Sequence, residues 1–205
     1  MSDMNHAGNA HLEVLHQILS AATHEASAAM CRWTNGLITM SLDEVREIPL
    51  EEVSIEYDFG CEMLTMVVLT LNGEIGGSMI LCFDETNGRD LAASLLSAPQ
   101  AGSGEWSALE RSALCETGNI LGCAYLNALT RLMSVELVPS PPYFLQDYGA
   151  SVLQQALMEQ AGVDDQVMIC RTRFTRGDQE LNWNVFFVPN SKMRQVMEDA
   201  LHIDA

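Results

Sequence analysis

Three short polar side chains, Ser112, Glu116 and Asn119, recur at spacings of four and three residues in a segment with helical periodicity. At about 100° per residue, these spacings place them on one strip of the helix, about 60° wide. A carboxamide can accept a hydrogen bond from water and donate one at the same time, so Asn119 could orient a water molecule without a tuned pKa. Ser112 has no His at helical spacing to activate it. The chemistry indicated is the positioning of water, although polar residues on a wet helix face are often only solvated.

The helix that positions these residues is predicted from about Ser107 to Met133. Gly118 and Gly122 each cost a helix interior about 1 kcal/mol relative to Ala, so they predict that another element approaches the backbone closely. The apolar residues gather on the side opposite the polar strip, which is typical of a face packed on a core. They are Ala113, Leu114, Leu121, Ala124, Tyr125, Ala128 and Leu132.

The first half of the chain is predicted to begin with an amphipathic helix from His11 to Trp33, ended by Asn35-Gly36. Asn72-Gly73 is a strong hairpin signal between two extended segments, because both residues tolerate positive φ in a tight turn. The further predicted segments are the strands Leu37 to Leu42, Val53 to Phe59, Met63 to Leu71 and Gly76 to Phe83, the helix Asn87 to Leu96 and the linker Pro99 to Gly104.

The second half repeats this order of helix, strands and helix. The long helix is followed by an extended piece, a proline break, a helix, a second hairpin and a closing helix. These segments are Val135 to Pro139, Pro141-Pro142, Gln146 to Gln160, the strands Val167 to Phe174 and Glu180 to Val188, and Ser191 to Leu201.

An internal duplication would explain the repeated order. An offset of about one hundred positions lays Gln17 on Glu116 and Ser20 on Asn119, although two unrelated amphipathic helices can also align tolerably. We predict a single α+β domain over residues 1–205, with repeats at about 11–98 and 105–203. Its antiparallel sheet is flanked by helices, has pseudo-twofold internal symmetry and presents the two long helices side by side.

Composition excludes several classes of function. A formal charge of −18 and a pI near 4.4 lack the basic footprint of a nucleic-acid-binding protein, and an anionic lipid surface would repel the chain. The longest apolar stretch, near Met63 to Leu71, falls well short of the ~20 residues of a membrane-spanning helix. The first residues lack the basic and apolar regions of a secretory signal, so we predict a cytoplasmic protein without membrane insertion.

The six cysteines show no CxxC pair and no companion histidine spacing. Reduced and mostly buried thiols are therefore predicted, and no metal site is expected on this chain. The cysteines are Cys31, Cys61, Cys82, Cys115, Cys123 and Cys170.

The stretch from Ser112 to Leu121, with Glu116, Thr117-Gly118 and Asn119, resembles the signature of the CheC family of chemotaxis phosphatases. That signature has an acidic residue or Ser, then Glu, then Asn at these spacings, and a proline further on that Pro142 matches. The resemblance extends more weakly over nearly the whole chain through the repeat pattern. It implies a CheC-like fold, related to those of CheX and FliY.

The resemblance also implies an activity. Proteins similar to this one insert the helix into the active site of the phosphorylated response regulator CheY. Glu116 is then expected to contact the regulator's conserved lysine, and Asn119 to align a water in line with the aspartyl phosphate. Ser112 and Pro142 are expected to support the site. No cofactor is expected on this chain, and a divalent cation, Mg²⁺, is expected on the regulator.

The chain departs from the family at the first helix. Many CheC proteins carry the signature twice, whereas the aligned positions here hold Glu13, Gln17 and Ser20. Gln cannot form the salt bridge to lysine, and Ser is too short to reach where Asn reaches. One active centre is therefore predicted.

Two further interpretations stay open. CheC proteins also bind the receptor deamidase CheD, and Asp147 matches an acidic position in that region, although an acid near a helix start is also ordinary. The chain could instead be a non-enzymatic adaptor that binds CheD or a component of the flagellar switch or receptor. The regulator could also belong to a signalling pathway other than chemotaxis.

Overall fold

The computed structural model describes residues 2–52, 63–98, 104–160 and 166–202. The predicted strand Val53 to Phe59, most of the predicted linker and Cys61 lie outside the described residues. The helices are α1 (Ser2–Trp33), α2 (Glu85–Leu95), α3 (Ala108–Met133), α4 (Gly149–Gln160) and α5 (Ser191–His202). The strands are β1 (Thr39–Pro49), β2 (Met63–Leu71), β3 (Gly77–Phe83), β4 (Tyr143–Tyr148), β5 (Gln166–Arg176) and β6 (Gln179–Pro189).

The described strands form one antiparallel sheet of six strands in the order β1-β5-β6-β3-β2-β4. If β1 is exchanged with β4, β2 with β5 and β3 with β6, the result is the same strand order read from the opposite edge of the sheet. A twofold axis between β3 and β6 would produce that symmetry in a duplicated chain. The predicted α+β fold, an antiparallel sheet flanked by helices, is confirmed. The limits of the two repeats stay a prediction.

The two long helices end in the same way. Residues with left-handed backbone follow both of them, Asn35 at φ 53° and Ser134 at φ 55°. These two residues lie as far apart in the sequence as Gln17 and Glu116, so they support the alignment of the first helix on the second.

Helices cover both faces of the sheet. In β2, Val67 and Leu69 belong to the large core shared with α1, α2, α3 and α5. Met66 and Val68, which point to the opposite face, belong to a smaller core with Val152 of α4. Every one of these residues is buried, so the sheet is the central layer of the molecule.

The segment Tyr143–Tyr148 is the strand β4, so the predicted helix from Gln146 is wrong at its start. β4 pairs along its whole length with β2, from Met63 opposite Tyr148 to Val68 opposite Tyr143. Backbone pairing with a distant strand thus overrides the local helical pattern, and α4 begins only at Gly149.

Strand β1 is longer than the predicted Leu37 to Leu42. Acidic residues such as Asp43 are depleted in strands, so the sequence pattern did not predict the second half of β1. In the structure the Asp43 carboxylate accepts hydrogen bonds from Arg171 on β5, at 2.6 Å from Nη2 and 2.9 Å from Nε. Arg173 Nε lies 2.7 Å from the same carboxylate. Cross-strand ion pairs therefore hold this acidic stretch in the sheet.

The predicted close approach at the α3 glycines is explained by β2. A Cβ at Gly118 would lie 2.5 Å from Cγ1 of Val67, and a Cβ at Gly122 would lie 2.8 Å from Cδ2 of Leu69. Real carbon contacts of this kind are longer, so only glycine lets α3 lie this close to the sheet.

We expect Gly118→Ala to lower the free energy of unfolding by about 1–3 kcal/mol, although Ala gains about 1 kcal/mol in helix propensity. The added methyl group would overlap with the Val67 side chain, and this overlap causes the loss. Urea unfolding measures the change in the free energy of unfolding. Val67→Ala alone should also destabilise, by removing core volume. The double variant should lose less than the two single changes together, because the clashing methyl is gone. Strict additivity would show that the close approach is not what Gly118 provides.

Candidate active site

The first turn of α3 is fixed by a capping box. Ser107 Oγ accepts from the Glu110 backbone N–H at 3.2 Å, while the Glu110 carboxylate accepts from Ser107 N at 2.8 Å and from its Oγ at 2.7 Å. The buried guanidinium of Arg89, on α2, pairs with Glu110 and lies 4.3 Å from the ring centroid of Trp106. The start of the helix is therefore tied to α2.

The inner face of α3 is tied to α1. Thr117 is fully buried, and its hydroxyl donates to the carbonyl of Ala113 at 2.9 Å. The same hydroxyl accepts a hydrogen bond of 3.1 Å from the indole N–H of Trp33, the last residue of α1. Together with the contacts of Gly118 and Gly122 on β2, this fixes the rotation of α3 about its axis. Residues on either side of Thr117 must then point outward.

Glu116 and Ser112 are exposed, and Asn119 is partly exposed. The predicted polar strip is thus present on α3, and a partner protein could reach both Glu116 and Asn119. Of the apolar face, Leu114, Leu121, Tyr125 and Ala128 are buried, as predicted. Leu132 was assigned wrongly to this face, since it is 45% exposed near the end of the helix.

Cys123 is a neighbour of Asn119 that the sequence reasoning did not assign to the site. Its Sγ lies 3.6 Å from Asn119 Oδ1, close enough for a weak hydrogen bond donated by the thiol. Cys123 follows Asn119 by four residues, so helical spacing alone places the two side chains together. This contact restricts the rotation of the carboxamide.

The remaining predicted residues lie on another element. Pro142 is half-buried just before β4, and Asp147 is half-buried within β4. Asp147 lies near the end of the strand, two residues before α4, and its Oδ1 accepts a hydrogen bond of 2.7 Å from the backbone N–H of Tyr148. β4 reaches the start of α3 through Phe144, whose ring centroid lies 5.4 Å from the Arg111 guanidinium. Ser112, Glu116 and Asn119 therefore share one strip of α3, whereas Pro142 and Asp147 belong to the β4 segment.

The first-helix counterparts Glu13, Gln17 and Ser20 are also exposed, on α1. Both long helices thus present an outward strip at equivalent positions. The two strips differ in side-chain chemistry rather than in accessibility.

Among the described residues, no helix is long and apolar enough to cross a membrane. The same part of the chain contains no group of three or more His, Cys, Asp or Glu side chains that could hold a metal ion. Burial raises the pKa of the Cys82 thiol to about 12, so this cysteine stays protonated at neutral pH.

Comparison with known proteins supports the predicted resemblance. No protein-family model matches the chain. The chain is 24% identical over 195 residues to the CheY-P phosphatase CheC of Bacillus subtilis, and the similarity covers 93% of both chains.

Solved structures share the fold at low sequence identity. FliY of Thermotoga maritima has a TM-score of 0.73 at 14% identity, covering 95% of this chain and 97% of FliY. The FliM middle domain of H. pylori has a TM-score of 0.61 at 13% identity, covering 93% and 97%. A chain of the CheX-CheY-BeF3-Mg²⁺ complex of Borrelia burgdorferi has a TM-score of 0.54 at 18% identity, covering 88% and 99%. The architecture is therefore one found in chemotaxis proteins. The chain is thus similar to CheC over nearly its whole length, and it shares the fold of these FliY, FliM and CheX chains.

The capping box makes one contribution to stability depend on pH. Hydrogen bonds from the Ser107 side chain and backbone, followed by the nearby Arg89, hold the pKa of Glu110 below its ordinary value of 4.5. A lowered folded-state pKa stabilises the protein above the unfolded-state pKa, and this contribution is lost as the pH falls through the folded-state pKa. Glu110→Gln should therefore destabilise the protein at pH 7, by about 0.5–1 kcal/mol, and the deficit should shrink as the pH falls below 4.5.

Urea unfolding of both proteins across this pH range measures the deficit. The matched control is Glu105→Gln, which removes the same charge from an exposed residue upstream of the cap. A deficit for Glu110→Gln that stays constant down to acid pH would contradict the assignment.

Proposed function

We propose that the protein is a phosphatase that removes the phosphoryl group from a phosphorylated CheY-like response regulator. The main support is the outward display of Glu116 and Asn119, one turn apart, on a helix whose inner face is locked to α1 and β2. The name of the CheC relative, and the presence of CheY in the solved CheX complex, favour the same class of substrate.

The proposed reaction is hydrolysis of an aspartyl phosphate. The oxygen of a water molecule attacks phosphorus, the bond from phosphorus to the aspartate oxygen breaks, and inorganic phosphate leaves a free carboxylate on the regulator. A mixed anhydride is already activated, so the main requirement is a water held in line with the breaking bond. A divalent cation, expected to be Mg²⁺ on the regulator, would neutralise charge on the phosphoryl oxygens.

The two side chains take different roles in this proposal. Asn119 orients the attacking water, because its carboxamide can donate and accept at once. Glu116 pairs with the regulator's lysine and so fixes how α3 enters the regulator's active site. A rigid helix suits both tasks, since a small displacement of a reacting water costs much of the rate. Ser112 would support the helix or the local hydrogen bonding without reacting.

A non-enzymatic adaptor is the second candidate. The fold alone does not decide between the two, because the FliM middle domain shares it and another FliM chain of similar fold was solved in complex with FliG. In this alternative, α3 would be a docking surface for CheD or for a component of the flagellar switch or receptor. Binding of CheD through Asp147 also stays a prediction.

We expect Asn119→Ala to reduce the rate of regulator dephosphorylation by about a hundredfold, because the water loses its orientation. Glu116→Ala should also strongly reduce it. Phosphate release from a phosphorylated CheY-type regulator measures both rates against the spontaneous rate.

Gln17→Ala and Ser20→Ala are the matched controls, since they change the equivalent exposed positions of α1. Both should keep nearly full activity, and a large loss from either would refute the single centre. If the wild-type protein binds the regulator but leaves the spontaneous rate unchanged or slower, the adaptor function is correct and the phosphatase proposal is wrong.

A further inference from the structure

The two long helices, α1 and α3, each carry an arginine at an equivalent position, and the two arginines have different neighbours. Under the alignment of Gln17 on Glu116, Arg32 near the end of α1 corresponds to Arg131 near the end of α3. Arg131 forms an ion pair with Glu25 on α1. The residue that corresponds to Glu25 in the other half is Ala124, which has no charge to offer Arg32.

Arg32 is consequently an exposed cation without a salt bridge to any carboxylate of the described residues. This is notable in a chain with 28 acidic and 10 basic residues, in which acidic partners abound. Arg32, which has no ion pair among the described residues, is on the same helix as Gln17 and Ser20, but it lines a groove with Ile120 of α3, the residue next to Asn119. Arg131, on the same helix as Glu116 and Asn119, is the neutralised arginine.

Arg32 also borders a groove between the two helices. The groove is open, has a volume of about 300 Å³, and is lined by Ala29, Arg32, Trp33 and Ile120. The indole of Trp33 is held by its hydrogen bond to Thr117, so this wall of the groove is fixed. The groove therefore combines an apolar, preformed surface with one cation at its edge.

The groove flanks the polar strip. Ile120 directly follows Asn119, and successive residues of a helix point about 100° apart, so Ile120 and Asn119 lie on opposite sides of Glu116. A partner protein that contacts both Glu116 and Asn119 would also cover the groove, because Ile120 lies on the other side of Glu116. The groove lies beside the reacting position and not at it.

We propose that the groove and Arg32 form a second contact with the phosphorylated regulator, in which an apolar side chain enters the groove and a surface carboxylate of the regulator pairs with Arg32. This inference rests on the proposed function and names what would set its substrate affinity. The position of the groove supports it, because Ile120 lines the groove directly beside Asn119, so the partner that covers Asn119 also reaches the groove. Because the contact lies beside the reacting position and touches no reacting atom, it would change KM and leave kcat unchanged.

We expect Arg32→Ala to raise the KM for the phosphorylated regulator about fivefold at low salt, as for a charge pair at the rim of an interface. The kcat should stay at the wild-type value, and the KM difference should shrink in high salt. Ala124→Glu should have the same effect with Arg32 intact, because it supplies the carboxylate that Glu25 supplies to Arg131. Arg131→Ala is the matched control and should leave KM unchanged.

Binding gives a readout that does not depend on turnover. The affinity for a CheY-type regulator carrying beryllium fluoride should fall about fivefold for Arg32→Ala and not for Arg131→Ala. Thermal unfolding of each variant checks that it is folded, and Arg32→Glu replaces Ala124→Glu if the latter is destabilised.

The possible failures are distinguishable. If wild-type turnover is present but neither KM nor the affinity changes in Arg32→Ala, the groove is not a regulator contact, and the proposed phosphatase function stands. If kcat falls and KM does not change, Arg32 acts at the phosphoryl group, and the docking inference is wrong. Absence of wild-type turnover refutes the phosphatase function, and the affinities still decide whether Arg32 contacts the regulator.

Discussion

The close packing of α3 on β2 is the constraint on which the rest of the site depends. Gly118 and Gly122 let the helix backbone approach Val67 and Leu69 more closely than any side chain would allow. That approach buries one face of α3 and fixes its rotation, with help from the hydrogen bond between Trp33 and Thr117. The opposite face is then necessarily outward, and it is as rigid as the core beneath it. The proposed function needs this rigidity, since α3 would position a water and dock on a partner without contributing a reactive group of its own.

The duplicated architecture supplies two outward strips, and the side chains make them unequal. The strand order and the matched left-handed residues Asn35 and Ser134 show how similar the two halves are in backbone. Chemistry separates them. One half has Glu116 and Asn119 and an arginine neutralised by Glu25 of the other half, whereas that other half has Gln17 and Ser20 and an arginine without a salt bridge among the described residues. Under the proposed function, one half would carry the site and the other would serve as its scaffold.

Sequence patterns predicted the elements that depend on local periodicity and missed those that depend on distant partners. The long helices, the hairpin strands β2 and β3, and the closing helix follow from spacing and turn residues. The second half of β4 was predicted as the start of a helix, because the pairing of β4 with β2 joins residues far apart in the sequence. The acidic half of β1 was missed because its partners Arg171 and Arg173 belong to β5. The neighbour Cys123 could have been found from its spacing alone.

The sequence by itself determined which side chains share the polar strip, because the angle between residues of a helix depends only on their separation along the chain. It also determined that something must approach the α3 backbone, since interior glycines are costly. Only the tertiary structure decided that β2 is what approaches, that Asn119 is accessible, and that a groove beside it ends at Arg32. Those facts depend on contacts between distant segments, whose geometry no local pattern encodes.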